Sequence, residues 1–380
     1  MKLSHIFSRL KKKENKDAAT YNKVYSASQW ALIWIKFKDH KLALIGFIVL
    51  AVFYVSILFA PIIGPYDPWS ATENIYAPPS KIRFFHEGKM HRPFIYRQDI
   101  KVDRETFERT FKPDKSTPYS IRFFVRGSDY RWLGFIKGNI HLFGTDDADV
   151  CVNLMGTDIL GRDCFSRNIS GLTISLTVGL VGVLVTFILG CIIGGLSGYY
   201  GGWVDVLVQR LVEFISSIPT IPMWMAMGAV IPSDWSNLKV YFAITVILAL
   251  RSWTGLARQV RSKLLQLREA DFVKAAIVSG TSDWKIITTH LLPGFLSYLI
   301  VSLTLEIPKM ILGETTLSFL GLGLRAPTVS LGVLLQDAQN LAAISAYPWL
   351  MFSALFIVIV VVAFNFVGDG IRDAADPYKD

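Results

Sequence analysis

The sequence predicts an all-α integral membrane protein with six membrane-spanning helices. A roughly 100-residue extracytoplasmic insert of mixed α/β character separates the first two. Three observations carry this. Apolar runs near the ~20 residues that cross a ~30 Å hydrocarbon core recur along the chain. Over the whole chain 52% of residues are hydrophobic and the mean hydropathy is +0.40, high for a soluble protein yet low for one wholly inside lipid. Basic residues gather at one end of the predicted spans, as a positive-inside bias requires.

The predicted spans cover 42–63, 170–197, 205–230, 239–258, 295–319 and 349–369. Pro219 and Pro222 interrupt the third. The first 41 residues hold ten Lys and Arg against three acids and form a basic tail, read as cytoplasmic. An even span count then places both termini inside, with a short tail at 371–380. The stretch 259–293, with Arg261, Lys263, Arg268, Lys274 and Lys285, falls on the same side, whereas 231–238 and 320–348 are nearly free of basic residues. The net charge of +9 has this membrane explanation, so no nucleic acid partner is expected.

Residues 64–168 form the insert and the entry to the second span. Stretches 94–102, 121–126 and 132–136 read as strands bounded by Pro93, Gly127, Gly134 and Gly138. Asp103 is placed to cap a short helix running to Phe111. Cys151 and Cys164 lie on the extracytoplasmic side by this topology, and their pairing stays open; Cys191 reads as a packing residue. No metal-ligand spacing occurs. Gly190, Gly194, Gly195 and Gly198 lie inside a span, with no Lys-Ser/Thr following, so they read as close helix packing rather than a phosphate loop. With no P-loop, the chain is expected not to hydrolyse ATP and to bind no cofactor.

The polar stretch 268–293 is the most informative segment. Ala275 and Ala276 offer a small-residue surface and Gly280 permits a reversal. Thr281, Ser282 and Asp283 supply an N-cap for a second helix from Trp284 to His290, and Pro293 ends the element. On these residues alone the segment is either a docking lever or an amphipathic interfacial helix.

Its spacing resembles the "EAA" loop of ABC importer permeases. The resemblance extends across the chain. Gly156-Thr157-Asp158, Leu160-Gly161-Arg162-Asp163 and Ser166-Arg167 resemble the entry to the second span in the oligopeptide/dipeptide/nickel permease family. Gly201-Gly202, Asp205, Arg210, Glu213 and Pro219 resemble its third span. Trp253, Ala257-Arg258 and Arg261 resemble the approach to its coupling loop, and the Leu317 to Gly323 run its fifth-span exit. The stretch from Gly368-Asp369-Gly370 to Asp376-Pro377 resembles the C-terminal signature of its C-type subunit. Departures are Lys274 where the loop's name implies Glu, His290 at a usually apolar position, Glu213 for the common Asp, and the long insert.

The resemblance implies a type I ABC importer permease fold in a bacterial inner membrane. It implies a homologous B-type permease partner, two ATPase subunits that bind ATP and Mg, and an extracytoplasmic solute-binding protein. Asp271, Lys274, Ala275, Ala276, Gly280, His290 and Pro293 would couple to the ATPases. Arg251, Glu306, Lys309 and Glu314, charges within spans, are candidates for the translocation path or its gate, with Glu306 and Lys309 also able to form a local pair. The implied cargo is peptide, with oligosaccharide, nickel or another solute as alternatives. An ion-coupled secondary transporter built on Glu306, Lys309 and Glu314 is a different reading; it expects internal repeats, which the sequence lacks. A membrane-anchored scaffold acting through its insert is a third.

Overall fold

The computed structural model describes residues 29–102, 109–147, 150–339 and 341–375. Among these, five helical segments are long and apolar enough to cross a membrane: Lys41–Leu58, Cys164–Tyr200, Asn237–Leu267, Asp283–Phe319 and Pro348–Ala375.

Helix α1 (Gln29–Asp39) lies before the first of these, α2 (Lys41–Leu58), and His40 Nδ1 accepts the Ala43 amide to cap the junction. At Phe59 the chain kinks into a short turn, α3 (Ala60–Ile63), with Pro61 in its first turn, where a missing N–H costs nothing. The first predicted span thus ends earlier than Ile63 as a regular helix.

The insert differs from expectation. Its described residues between 64 and 163 contain strands and turns but no helix. Strands β1 (Arg83–His86), β2 (Lys89–Val102), β3 (Arg109–Trp132) and β4 (Ile136–Thr145) pair antiparallel in that order. The predicted cap at Asp103 lies outside the described residues, and Arg109 to Phe111 pair in register with Val102 to Ile100. The predicted strand 132–136 is instead the hairpin turn, with Leu133 and Gly134 at positive φ. Trp132 and Ile136 face each other across it. Trp132, Leu133, Phe135 and Ile136 give the stretch high strand propensity, which masks the turn signal of Gly134. The insert's small core, Ile95, Phe143, Val150 and Val152, takes in Phe165 from the next helix, which fastens it to the membrane portion. Buried His141 adds a second tie, its Nδ1 lying 2.7 Å from the Gly64 carbonyl. Among the described residues Cys151, Cys164 and Cys191 form no disulfide.

Helix α4 (Cys164–Tyr200) starts six residues before the predicted 170, capped by Asp163, whose carboxylate accepts the Ser166 amide at 2.8 Å. It crosses α7 (Asn237–Leu267) at its glycines. A Cβ on Gly190 would lie 2.7 Å from Leu256, and one on Gly194 would lie 2.5 Å from the Ala257 carbonyl oxygen. Small residues let two backbones meet, as the sequence reading proposed.

The predicted third span is two helices, α5 (Gly202–Ser217) and α6 (Thr220–Ala229), and it is absent from the five continuous segments. The break falls at Ile218, extended at φ −81, ψ 127, because Pro219 disfavours a helical residue before it and donates no amide. Helix α7 runs nine residues past its predicted limit of 258. Val260 and Leu264 are fully buried on its inner face, so the basic residues that suggested a loop decorate an amphipathic helix end.

After α8 (Asp271–Val278), chain Asp283–Phe319 is helical without interruption. It passes from α9 (Asp283–Lys285) through a π turn (Ile286–Leu291) and a 3-10 turn (Leu292–Phe295) into α10 (Leu296–Phe319). Pro293 therefore does not end an element. The change of helical pitch on either side of it accommodates the missing amide. Helices α11 (Leu331–Asp337) and α12 (Leu341–Ala346) precede a 3-10 turn (Pro348–Met351) and α13 (Phe352–Ala375). The described part of the C-terminal motif is a close crossing. A Cβ on Gly370 would meet Ala43 of α2, and one on Gly368 would meet Leu305 of α10.

Candidate functional site: a helix carried at one end of the bundle

Helix α8 is short, and Asp271 in its first turn favours the positive end of its dipole. It closes with a Schellman arrangement: the Gly280 amide donates to the Ile277 carbonyl at 3.0 Å and the Thr281 amide to the Ala276 carbonyl at 3.1 Å. Gly280 occupies φ +74, the left-handed conformation that this stop requires and that side chains resist. Ser282 then adopts an extended capping conformation, without the side-chain bond its hydroxyl suggested.

One face of α8 is anchored. Val273 and Ala276 pack with Leu256, Val260 and Leu264 of α7 and with Ile286, Ile287 and Leu291 of the π turn. The rest of the helix is exposed: Val278, by 88%, lies opposite the anchored face, Phe272 and Ile277 flank it, and Trp284 stands exposed just beyond the turn. Of the seven predicted coupling residues, Asp271, Lys274, Ala275, Gly280, His290 and Pro293 are exposed and Ala276 is buried beneath the helix. The spacing of small residues indicated the helix and its turn but gave no weight to Phe272, Val278 or Trp284. Their signal was legible as apolar residues out of phase with the buried Val273 and Ala276.

Polar contacts hold this end of the bundle together. Tyr199 and Tyr200, the last residues of α4, donate to the two carboxylate oxygens of Asp283 at 2.8 and 3.1 Å. Asp205 of α5 takes both Nε and Nη2 of Arg261 on α7 at 2.5 Å, and the Ser197 hydroxyl donates to the same carboxylate at 2.6 Å. This fork-to-fork pair is the strong kind of ion pair. Arg210 and Glu213, by contrast, pair only with each other at an exposed site.

The charges predicted for the pathway do not converge. Glu314 is fully buried, and the hydroxyls of Ser175 and Ser318 donate to its two oxygens at 2.9 and 2.8 Å. Both hydroxyls also accept backbone amides, from Leu331 and Leu324, so Glu314 staples α4, α10 and the segment before α11. Glu306 and Lys309 form a pair at 2.8 Å on the outer face of α10. Half-buried Arg251 reaches Thr254 one turn along α7.

At the other end of the bundle the predicted entry motif is a charge cluster. Asp158 binds Arg162 at 2.7 Å and lies 3.3 Å from Arg167, and both arginines reach Asp337. Burial pushes the Asp163 carboxyl up to about 6, against the opposing hydrogen bonds from Ser166. Burial likewise raises Asp337, with the two arginines pulling it back.

Fold and surface together define a multi-pass membrane component with exposed apolar side chains at one end. Comparison with known proteins makes the class specific. The family described as binding-protein-dependent transport system inner membrane component matches residues 186–379. The N-terminal TM domain of oligopeptide transport permease C matches residues 28–79. The dipeptide transport system permease protein DppC of Lactococcus lactis subsp. cremoris is 31% identical, over 90% of this chain and 89% of its own length. The oligopeptide transport system permease protein OppC of Bacillus subtilis is 30% identical over 93% and 90%. Among solved structures, an inward-facing MetNI methionine ABC transporter chain aligns at TM-score 0.44 and 20% identity, covering 56% of this chain and 97% of that one. This chain belongs to the family of binding-protein-dependent transport system inner membrane components. It is a permease subunit of an ABC importer.

Proposed function

We propose that the chain forms half of a peptide translocation path and that α8, with the turn through Gly280 to Trp284, is where an ATPase subunit docks. The observation that carries the coupling reading is the pairing of a rigidly seated helix with a bare apolar face at Phe272, Ile277, Val278 and Trp284. A permease with no nucleotide site of its own must receive force from a partner, and a lever must be stiff on one side and sticky on the other. Peptide cargo is the reading the dipeptide and oligopeptide permease relatives support.

The partners are then a homologous permease, two ATPase subunits carrying ATP and Mg, and an extracytoplasmic binding protein. Both termini and α8 face the cytoplasm, and the strand insert faces the opposite side. The broken pair α5–α6 completes six crossings. The outer face of α10 looks onto the second permease or onto water rather than lipid, because Lys309 is 68% exposed and a charge in hydrocarbon is costly. ATP-driven closure of the ATPases would push α8, and the continuous helix from Asp283 to Phe319 would carry that displacement into the bundle.

The test is co-purification of the tagged chain with co-expressed ATPase subunits of a peptide ABC importer. The wild type should retain them, and Val278→Glu and Gly280→Arg should lose them while remaining folded in the membrane. Retention by both variants would overturn the docking surface. Failure of the wild type to hold any ATPase would overturn α8 as a site sufficient for stable docking.

A further inference from the structure

The insert carries an apolar tip that its own core does not use. At the β3–β4 turn Leu133, Phe135 and Ile136 are exposed, Phe135 by 74%. Arg131 and Lys137, opposite each other in the ladder, flank them and are exposed, and neither forms an ion pair among the described residues. The direction of the hairpin is fixed by two contacts. His141 meets Gly64, just beyond α3. Five residues before the end of α3, the Trp132 indole N–H donates 2.8 Å to the carbonyl of Leu58, the last residue of α2, and its ring stacks on Phe59 at 5.5 Å. The hairpin therefore runs from Gly64 back toward the membrane helix, and its turn projects past Trp132.

Helix α2 gives the depth. At ~1.5 Å per residue its 18 residues cover about 27 Å, close to a full hydrocarbon core, so Leu58 marks the edge of that core. Trp132 thus occupies the level at which tryptophan collects in membrane proteins. The outer face of α2 nearby, Ile48, Val52, Val55 and Leu58, is exposed and apolar, and the hairpin tip continues it.

We propose that the β3–β4 tip is a lipid anchor. Leu133 and Phe135 enter the interfacial layer beside α2, and Arg131 and Lys137 contact lipid phosphates. The occupant is lipid because the tip prolongs a membrane helix at the headgroup level and the charges nearest its turn, Arg131 and Lys137, are cationic, matching a phosphate layer, with exposed Asp129 farther along β3. The anchor would pin the insert at a constant height on the bilayer. This inference rests on α2 crossing the membrane and is independent of α8, the cargo and the ATPase.

The test places a nitroxide label at Phe135→Cys, and separately at Leu133→Cys, in the full chain with Cys151→Ser, reconstituted in phosphatidylethanolamine/phosphatidylglycerol nanodiscs. Lys115→Cys, exposed in the distant half of β3, is the aqueous reference. At positions 133 and 135 oxygen should relax the label several-fold more effectively than a water-soluble nickel chelate, with the reverse at 115. Equal behaviour at 135 and 115 would place the tip in water and overturn the proposal. Protection of 135 from both reagents would overturn it too, in favour of a protein partner covering the tip.

Discussion

Gly194 and Gly195 are neighbours in α4 with the same backbone conformation, yet alanine should act oppositely at the two. At Gly194 the new methyl would lie 2.5 Å from the Ala257 carbonyl oxygen and 2.8 Å from its Cα, against an ordinary contact beginning at 3.4 Å. The shortfall of about 0.9 Å falls on backbone, which has no rotamer to yield. Helix α7 must move away, loosening the crossing at Gly190 and Gly198 as well. Overpacking of this sort costs about 1–3 kcal/mol, against which alanine recovers up to about 1 kcal/mol of helix propensity. At Gly195 the methyl meets only Cγ2 of buried Ile287 at 3.2 Å, so a side chain, not backbone, must give by a few tenths of an ångström. There the propensity gain should survive, leaving Gly195→Ala neutral or more stable. The two variants should differ by about 2 kcal/mol. The assay is unfolding in mixed micelles, followed by a thiol-reactive dye on buried Cys191, one turn away. Equal unfolding curves for the two variants would refute the claim that a backbone collision, rather than glycine content, defines this crossing.

Three further outcomes follow. Asp205→Ala and Arg261→Ala should each destabilise by about 2–3 kcal/mol, because each strands a half-buried partner, and the double variant should cost less than their sum by at least about 1 kcal/mol; strict additivity in a double-mutant cycle would show that the pair is not coupled. Asp163 holds its proton up to about pH 6 in the folded chain, whereas the unfolded chain releases it near 4, so stability should fall as pH rises through that window, by at most about 3 kcal/mol; Asp163→Asn should flatten the slope measured by the same dye assay. Gly280→Ala should strain the φ +74 turn by about 1–2 kcal/mol and weaken ATPase retention without abolishing it, read as a shift in the salt needed to strip the ATPase from the complex.

Apolar length made most of the membrane helices legible, and the residue spacing in 268–293 made the turn at Gly280 legible. What escaped had a common cause. A span boundary was drawn wherever charge began, as at Arg258, but an amphipathic helix keeps going when Val260 and Leu264 still face a core. By sequence Pro293 is a stop and Pro219 a break inside one span, yet the structure reverses their weight. Pro293 is absorbed by a π-to-3-10 transition, while Pro219 sits where nothing compensates for the lost amide and the helix divides. In the insert, the turn at Gly134 hid among residues of high strand propensity. The entry motif was seen as a string, whereas its meaning lies in Asp337, which is 170 residues away from Arg167 in sequence and 3.1 Å away in space.

The same distinction between string and contact bears on how motion at α8 would reach the bundle. If α8 were tethered only through its two loops, a push from an ATPase would be spent in bending them. Instead Val273 and Ala276 share one core with α7 and the π turn. Asp283 is tied to the end of α4 by two tyrosines, and Asp205 locks α5 to α7 on the same level. Four helices therefore receive any displacement of α8 through short, stiff contacts. The hydroxyl staple around Glu314 lies along the same continuous helix that starts at Asp283. Weakening that staple with Glu314→Gln, which preserves size and one acceptor, should leave ATPase retention intact while uncoupling ATP hydrolysis from uptake in proteoliposomes. Loss of both together would show that Glu314 serves folding alone.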